Sequence, residues 1–173
     1  DGNDRLGGFS DTASPGNDIM YGGAGNDELR GWGGNDTLYG GDGNDNIQGL
    51  AGNDAIYGGN GDDDLAGGAG NDIIDGGPGN DLVVFEGNRS EYVITGNSDG
   101  SFTVADTVSG RNGTDTVINV EQALFAAGGS LYLVSGTTQN DDLSGGASDT
   151  IINGGDGNDR LGGFSDTASP GND

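Results

Sequence analysis

The stretch GNDIMYGGAGNDELRGWGGNDTLYGGDGNDNIQGLAGNDAIYGGNGDDDLAGGAGNDIIDGGPGNDLV, residues 16–83, repeats one pattern every nine residues. Each unit begins with glycine, has aspartate two residues later, and has an apolar side chain two residues after the aspartate. The pattern is G-x-D-x-U-x, with U apolar, and the three residues that complete the unit are rich in glycine. The apolar positions are Met20, Leu29, Leu38, Ile47, Ile56, Leu65, Ile74 and Val83.

Each unit contains one turn and one short strand. Glycine, asparagine and aspartate favour turns, because glycine accepts positive φ at little cost. The x-U-x triplet is long enough for a strand whose central side chain points inward. One apolar residue per unit makes a core only when successive turns stack. The pattern therefore predicts an all-β fold, a parallel β-roll (β-solenoid) in which two units close one coil of 18 residues.

The aspartates fall on two edges of this predicted roll. Asp18, Asp36, Asp54 and Asp72 stack on one edge, and the aspartates at 27, 45, 63 and 81 stack on the other. Neighbouring carboxylates about 4.8 Å apart repel one another unless a cation lies between them. Carboxylate and carbonyl oxygens suit calcium. The chain has no histidine or cysteine, so zinc and copper sites are not expected.

These units resemble the nonapeptides of the repeats-in-toxin (RTX) family. The resemblance implies a parallel β-roll, several calcium ions between successive turns of each edge, and export by a type I secretion system. The implied carboxylate ligands are Asp4, Asp18, Asp27, Asp36, Asp45, Asp54, Asp63, Asp72, Asp81, Asp141, Asp159 and Asp173. The implied backbone-carbonyl ligands are Asn17, Asn26, Asn35, Asn44, Asn53, Asn71, Asn80, Gly25, Gly34, Gly43, Gly52, Gly61, Gly70 and Gly79.

The chain departs from the pattern at several positions. Trp32 and Leu50 replace the second glycine of a pair, which puts the turn geometry there in question, and Asp62 replaces an asparagine. Thr150 stands where the period of nine predicts aspartate. Five extra residues also separate Asp4 from Asp18.

The nonapeptide disappears over residues 84–136, where apolar residues alternate with polar ones. This predicts a small antiparallel β module between a roll at 1–83 and a second roll at 137–173. Within it, residues 112–126 resemble a segment that often accompanies RTX arrays. Two roles stay open for this module: a cap that covers the end of the roll, and a binding module.

Residues 156–173 repeat residues 1–18 without a difference, at an offset of 155 residues. The short repeat does not account for this, because its other turns differ from one another. The simplest interpretation is a unit of 155 residues within a tandem array.

Composition excludes several classes of partner. The net charge is −24, which repels nucleic acid and anionic membrane surfaces. No apolar run is long enough to span a membrane. We expect no catalysis from this stretch, because the usual bases for a serine nucleophile are missing.

Two surface features suggest contacts. Tyr21, Tyr39 and Tyr57 fall in one outward column, and Arg30 lies on the opposite sheet. The tyrosines are either cross-strand partners or a contact stripe. Trp32 either packs against Phe9 and the insert or forms a docking edge.

We expect a calcium-binding structural repeat of a secreted or cell-surface protein, such as an adhesin extender, sheath, filament or surface layer. It would fold on calcium after export and contact neighbouring units. The alternative is the secretion and folding module of an exported RTX enzyme such as a lipase or protease. A solenoid that binds ice or carbohydrate is a third hypothesis.

Overall fold

The structure is a computed structural model that describes residues 2–8, 16–127, 129–135, 142–144, 149–155 and 160–162. These residues are nearly all in strands and turns, and they include one short 3-10 helix, Arg89–Glu91. The strands are β1 Arg5–Gly7, β2 Ile19–Ala24, β3 Glu28–Gly33, β4 Thr37–Asp42, β5 Asn46–Ala51, β6 Ala55–Asn60, β7 Asp64–Ala69, β8 Ile73–Asp75, β9 Leu82–Phe85, β10 Tyr92–Gly96, β11 Phe102–Asp106, β12 Thr114–Ile118, β13 Gln122–Phe125, β14 Ser130–Ser135, β15 Asp142–Ser144, β16 Thr150–Asn153 and β17 Arg160–Gly162.

The first nine strands alternate between two parallel sheets. Sheet I has the order β10-β11-β12-β8-β6-β4-β2, and sheet II has the order β1-β3-β5-β7-β9-β13-β14-β16. Between β2 and β9, each strand pairs in parallel with the strand 18 residues further along the chain, as Leu38 pairs with Ile56. The predicted parallel β-roll is confirmed.

One apolar residue from each nonapeptide unit, two from each coil, forms the core between the sheets. The side chains at the predicted apolar positions from Leu29 to Val83 are at most 1% exposed, and Met20 at the first coil is 8% exposed. The inner column that the pattern predicts is therefore present and continuous.

The turns keep their geometry where glycine is replaced. Gly41 and Gly59, the second glycines of their pairs, have φ of 119° and 116°. Trp32 and Leu50 adopt φ of 73° and 81° at the same position and lie side by side in β3 and β5. Positive φ costs a residue with a Cβ roughly 1–2 kcal/mol. The two replacements thus preserve the turn at the cost of local strain; Phe9, the predicted partner of Trp32, lies outside the described residues.

The tyrosines at the outward positions of sheet I form a stacked column. The ring centroids of Tyr21 and Tyr39 are 4.9 Å apart with planes at 4°, and those of Tyr39 and Tyr57 are 4.9 Å apart with planes at 9°. Stacked aromatic pairs contribute about 0.5–1.5 kcal/mol beyond their buried area. The column thus stabilises sheet I, and the contact role stays a prediction.

The predicted antiparallel module is joined to the roll. Strands β10, β11 and β12 form antiparallel pairs, as predicted from their alternating residues. However, β12 also pairs in parallel with β8, and β13 pairs in parallel with β9. These two strands add one more coil after the four formed by β2 to β9, so the roll extends through part of residues 84–136. The division of the chain into domains at 83/84 and 136/137 stays a prediction.

An aromatic cluster fills the space beyond the regular coils. Phe85, Tyr92 and Phe125 are buried, with ring centroids 5.0–5.6 Å apart. Arg111 lies over the Tyr92 ring and forms an ion pair of 2.6 Å with Asp106.

In the described ranges, no helix has the length and apolar character that crossing a bilayer requires.

The strand that contains Thr150 follows the register of the roll. Tyr132 pairs with Thr150, and its backbone N–H donates to the Asp149 carbonyl. Asp149 therefore lies directly before β16, as Asp36 lies directly before β4. The period of nine predicts the aspartate position at Thr150, one residue further along, and Asp149 is exposed, unlike the aspartates of the columns. Strands β15 and β17 form a separate parallel pair.

Glycine is required where one turn approaches the next. A Cβ on Gly52, which has φ of 133°, would lie 1.6 Å from the Gly34 carbonyl oxygen of the previous coil. Gly23 has φ of 109°, but a Cβ there would meet nothing within 4 Å.

We predict that Gly52→Ala destabilises the roll more than Gly23→Ala does. The Gly23 change should cost roughly 1–2 kcal/mol from positive φ alone, whereas the Gly52 change adds the steric overlap. Thermal unfolding of both variants in saturating calcium measures the difference. Equal losses would show that the turns do not approach as closely as the structure has them.

Candidate calcium sites in the stacked turns

The predicted ligand aspartates lie in two columns, one along each edge of the roll. The first edge carries Asp18, Asp36, Asp54 and Asp72, and the second carries Asp4, Asp27, Asp45, Asp63 and Asp81. The column members from Asp27 to Asp81 are at most 3% exposed. Asp141, Asp159 and Asp173 lie outside the described residues.

Each column is held by a ladder of hydrogen bonds from backbone to carboxylate. On the first edge, the backbone N–H of Asp18 donates to Oδ1 of Asp36 at 2.8 Å, and that of Asp36 donates to Oδ1 of Asp54 at 2.8 Å. On the second edge, the N–H of Asp45 donates to Oδ1 of Asp63 at 2.8 Å. One oxygen of each carboxylate is therefore satisfied by the neighbouring coil.

The second oxygen of each of these carboxylates has no hydrogen-bond partner. Within the described part of the chain, a buried and unpartnered Oδ2 is found on Asp27, Asp36, Asp45, Asp54, Asp63, Asp72, Asp81 and Asp115. A buried charge without a partner is strongly unfavourable. A cation at the turns removes this cost, so the columns fit the calcium that the repeat implies.

The turns add neutral oxygen atoms to the carboxylates. The carbonyl oxygen of Gly16 lies 2.0 Å from where a Cβ of Gly34 would stand, so it projects between neighbouring turns. No group of three acidic, histidine or cysteine side chains converges in the part of the chain that the structure describes. Any cation held by these carboxylates would take further ligands from backbone carbonyls, and hard oxygen donors of this kind suit Ca²⁺.

The asparagine side chains join one turn to the next. The backbone N–H of Asn35 donates to Oδ1 of Asn17 at 2.7 Å, and that of Asn53 donates to Oδ1 of Asn35 at 2.8 Å. Asp62 takes part in the corresponding ladder of the second edge, because it accepts from the N–H of Asn80 at 3.0 Å. The side chains thus have a structural role, and the carbonyl role of these residues and of Gly25 to Gly79 stays a proposal.

Burial shifts the carboxylates toward the protonated form. The pKa is about 6 for Asp54, Asp63, Asp72 and Asp81. Desolvation raises it, and this effect is larger than that of the backbone N–H hydrogen bonds, which lower it. Desolvation likewise raises the pKa of Asp115 to about 8. The columns therefore accept protons readily when no other cation compensates them.

Two acidic residues outside the nonapeptides take part in the ladders. Asp115 accepts from the backbone N–H of Asp72 at 2.9 Å, and Glu121 accepts from that of Asp81 at 2.8 Å. Sequence reasoning did not select them as ligands. The G-x-D-x-U spacing of Gly113, Asp115 and Val117 was the available signal.

The fold and these turns define a class of protein: a parallel β-roll whose edges present oxygen ligands to cations. The chain belongs to the family of the RTX calcium-binding nonapeptide repeat, whose model matches residues 12–47, 39–74, 57–87 and 134–163, more than half of the chain. Repeats of this family bind Ca²⁺ and are typical of secreted proteins.

Among solved structures, the chain is similar to the extracellular lipase LipA from Serratia marcescens. The sequence identity is 20%, the TM-score is 0.37, and the match covers 75% of this chain and 24% of the lipase chain. The chain thus spans about a quarter of the length of that protein. No curated protein sequence matches the chain.

We predict that calcium switches the fold. Without a cation, the buried carboxylates and the high glycine content favour an expanded chain. At neutral pH, where the carboxylates of the nonapeptides are largely unprotonated, circular dichroism in chelator should lose the β signal, and millimolar calcium should restore it. Magnesium should not, because it demands a smaller octahedral site. An unchanged spectrum in chelator would contradict this.

We predict opposite pH dependences with and without calcium. In calcium-free protein, the folded carboxylates keep protons up to about pH 6, whereas the unfolded chain releases them near 3.8. Stability should therefore fall as the pH rises through this window. In calcium-saturated protein it should rise, because protons compete with calcium for the same oxygens.

Thermal unfolding across the pH range, on protein freed of calcium by chelating resin and on the same protein with calcium restored, measures both slopes. Slopes of the same sign would show that the aspartate columns do not exchange protons for calcium.

Proposed function

We propose that the chain is a calcium-binding structural repeat of a large secreted or cell-surface protein, built from tandem units that fold on calcium after export. The observation that carries this proposal is the identity of residues 156–173 with residues 1–18. A module that serves secretion alone has no need of an exact long-period duplication that includes its irregular insert.

The strand pairing suggests how neighbouring units join. Strand β17, Arg160–Gly162, has the same sequence as β1, Arg5–Gly7. β17 pairs in parallel with β15, whereas β1 pairs in parallel with β3. In an array, the first strand of each unit would have β15 of the preceding unit on one side and its own β3 on the other. The roll would then continue from unit to unit as one ladder.

In this proposal, the calcium concentration determines when the chain folds. The chain carries a net charge of −24 and buries a column of carboxylates on each edge. Calcium in the cytosol is too low to fill sites of moderate affinity, so the chain would stay extended during export and fold outside. The completed array would be a stiff rod, because the coils stack along a single axis and each coil contacts only the coils directly before and after it.

We predict that two units are more stable than one. A chain of residues 1–155 followed directly by residues 1–173 should unfold in calcium as one transition, at a higher temperature than the 173-residue chain. The physical reason is the added interface between units. The matched control carries Leu143→Pro in the first unit, which removes a backbone N–H from the joining strand β15. Unchanged unfolding temperatures in all three chains would show that units do not join through β15.

Localisation separates this proposal from its alternative. An antibody raised against residues 1–155 should label the surface of the producing cells and detect a protein many times larger than 17.1 kDa. If it instead detects a freely secreted protein with lipase or protease activity, the chain is the folding module of an exported enzyme.

A further inference from the structure

The coil formed by β12 and β13 continues the first edge of the roll outside the matched repeats. The family matches end at residue 87 and resume at residue 134. Between them, the N–H of Thr114 donates to Oδ1 of Asn71 at 2.8 Å, and the N–H of Asp72 donates to Oδ1 of Asp115 at 2.9 Å. The N–H of Thr116 also donates to the Asp72 carbonyl at 2.8 Å.

The same three bonds occur one coil earlier, where the partners are nonapeptide residues. The N–H of Asn71 donates to Oδ1 of Asn53 at 2.8 Å, and the N–H of Asp54 donates to Oδ1 of Asp72 at 2.8 Å. The N–H of Ile73 donates to the Asp54 carbonyl at 2.9 Å. Asp115 therefore takes the place of a repeat aspartate, although 43 residues separate it from Asp72.

The carbonyl of the turn is also in place. A Cβ on Gly113, which has φ of 76°, would lie 1.9 Å from the Gly70 carbonyl oxygen. The corresponding approach one coil earlier, of Gly70 to the Gly52 carbonyl oxygen, is 1.8 Å. The last two turns of this edge thus stack as closely as the turns before them.

Asp115 is buried and its charge is not compensated by a neighbouring residue that the structure describes. It is 1% exposed, and its Oδ2 has no hydrogen-bond partner. The charged groups that act on it are Asp72 and Asp106, both acidic. The nearby Arg111 is held at 2.6 Å by Asp106 and at 2.7 Å by Glu91.

The second edge ends differently at the same coil. Glu121 lies in register with Asp81, because Gln122 pairs with Leu82. However, Ile118 pairs with Asp75, so the turn from β12 to β13 is three residues shorter than the turn from β8 to β9. The missing residues are the ones that supply the glycine carbonyls in a nonapeptide turn. The longer glutamate side chain reaches the ladder, but the turn around it is incomplete.

We propose that Asp72 and Asp115, with backbone carbonyls of the turns at Gly70 and Gly113, hold one further Ca²⁺ on the first edge, while the second edge ends at Glu121. This ion holds strand β12 against the roll, and with it the antiparallel strands β10 and β11. The proposal rests on the assignment of the aspartate columns as calcium ligands.

Calcium counting on the full chain tests the proposal. Asp115→Asn keeps the Oδ1 acceptor and replaces the unpartnered oxygen with an amide, so native mass spectrometry in calcium should find one ion fewer. Asp99→Asn is the matched control, because Asp99 lies in the same module, is exposed and bonds to Ser101; it should lose none. Asp54→Asn, in the matched repeats, should lose at least one.

The three variants separate the possible failures. If Asp54→Asn loses calcium and Asp115→Asn does not, the further site is wrong and the aspartate columns stand. If neither loses calcium, the columns are not the ligands and both assignments fail. Should Asp115→Asn not fold, a crystal structure of the unsubstituted chain grown with calcium decides. Anomalous density beside Asp115 is expected, and ions at the other turns with none there would overturn the proposal.

Discussion

The structure depends on the burial of carboxylates that have only half of their hydrogen-bonding capacity satisfied. The buried aspartates of the columns accept a hydrogen bond at Oδ1 from a backbone N–H of the neighbouring coil, and their Oδ2 is buried and unpartnered. The ladder fixes the carboxylate where it cannot reach water, so the charge must be met by a proton or a metal ion. The fold and cation binding are therefore one equilibrium, and the coils are stable together only when the columns are compensated.

The other features of the repeat serve this stacking. One apolar side chain per nine residues, such as Ile56, fills a core that holds only two such side chains in each coil, one from each sheet. Glycine at positions such as Gly52 allows the carbonyl of one turn to lie against the backbone of the next. Trp32 and Leu50 show the strength of the constraint, because they adopt the backbone of the glycine they replace. Neighbouring coils thus impose their geometry on a sequence that locally opposes it.

The interruption in the repeat is an insertion into a coil. After β9 the chain forms β10 and β11 and then returns to place β12 beside β8 and β13 beside β9. The hairpin lengthens sheet I, and β14 and β16 lengthen sheet II. Asn153 in β16 donates to the carbonyls of Asn97 and Ser101 beside the hairpin, so the two extensions also contact each other. This contact is compatible with a cap for the roll, and the choice between a cap and a binding module stays open.

The sequence by itself determined the roll, its inner column and the two edges of aspartates. A period of nine sets the direction of every side chain from local geometry, so the positions of Leu38 and Asp36 follow from counting. Only the tertiary structure decided where the chain rejoins the roll after the break. Asp115 and Glu121 reach the ladders after a loop whose length has no period, and Asp149 precedes β16 one residue out of phase with the period of nine. Their places depend on strand pairing between residues about 20 to 40 positions apart, and that pairing is chosen by the exposed edges of β8, β9 and β14 rather than by spacing along the chain.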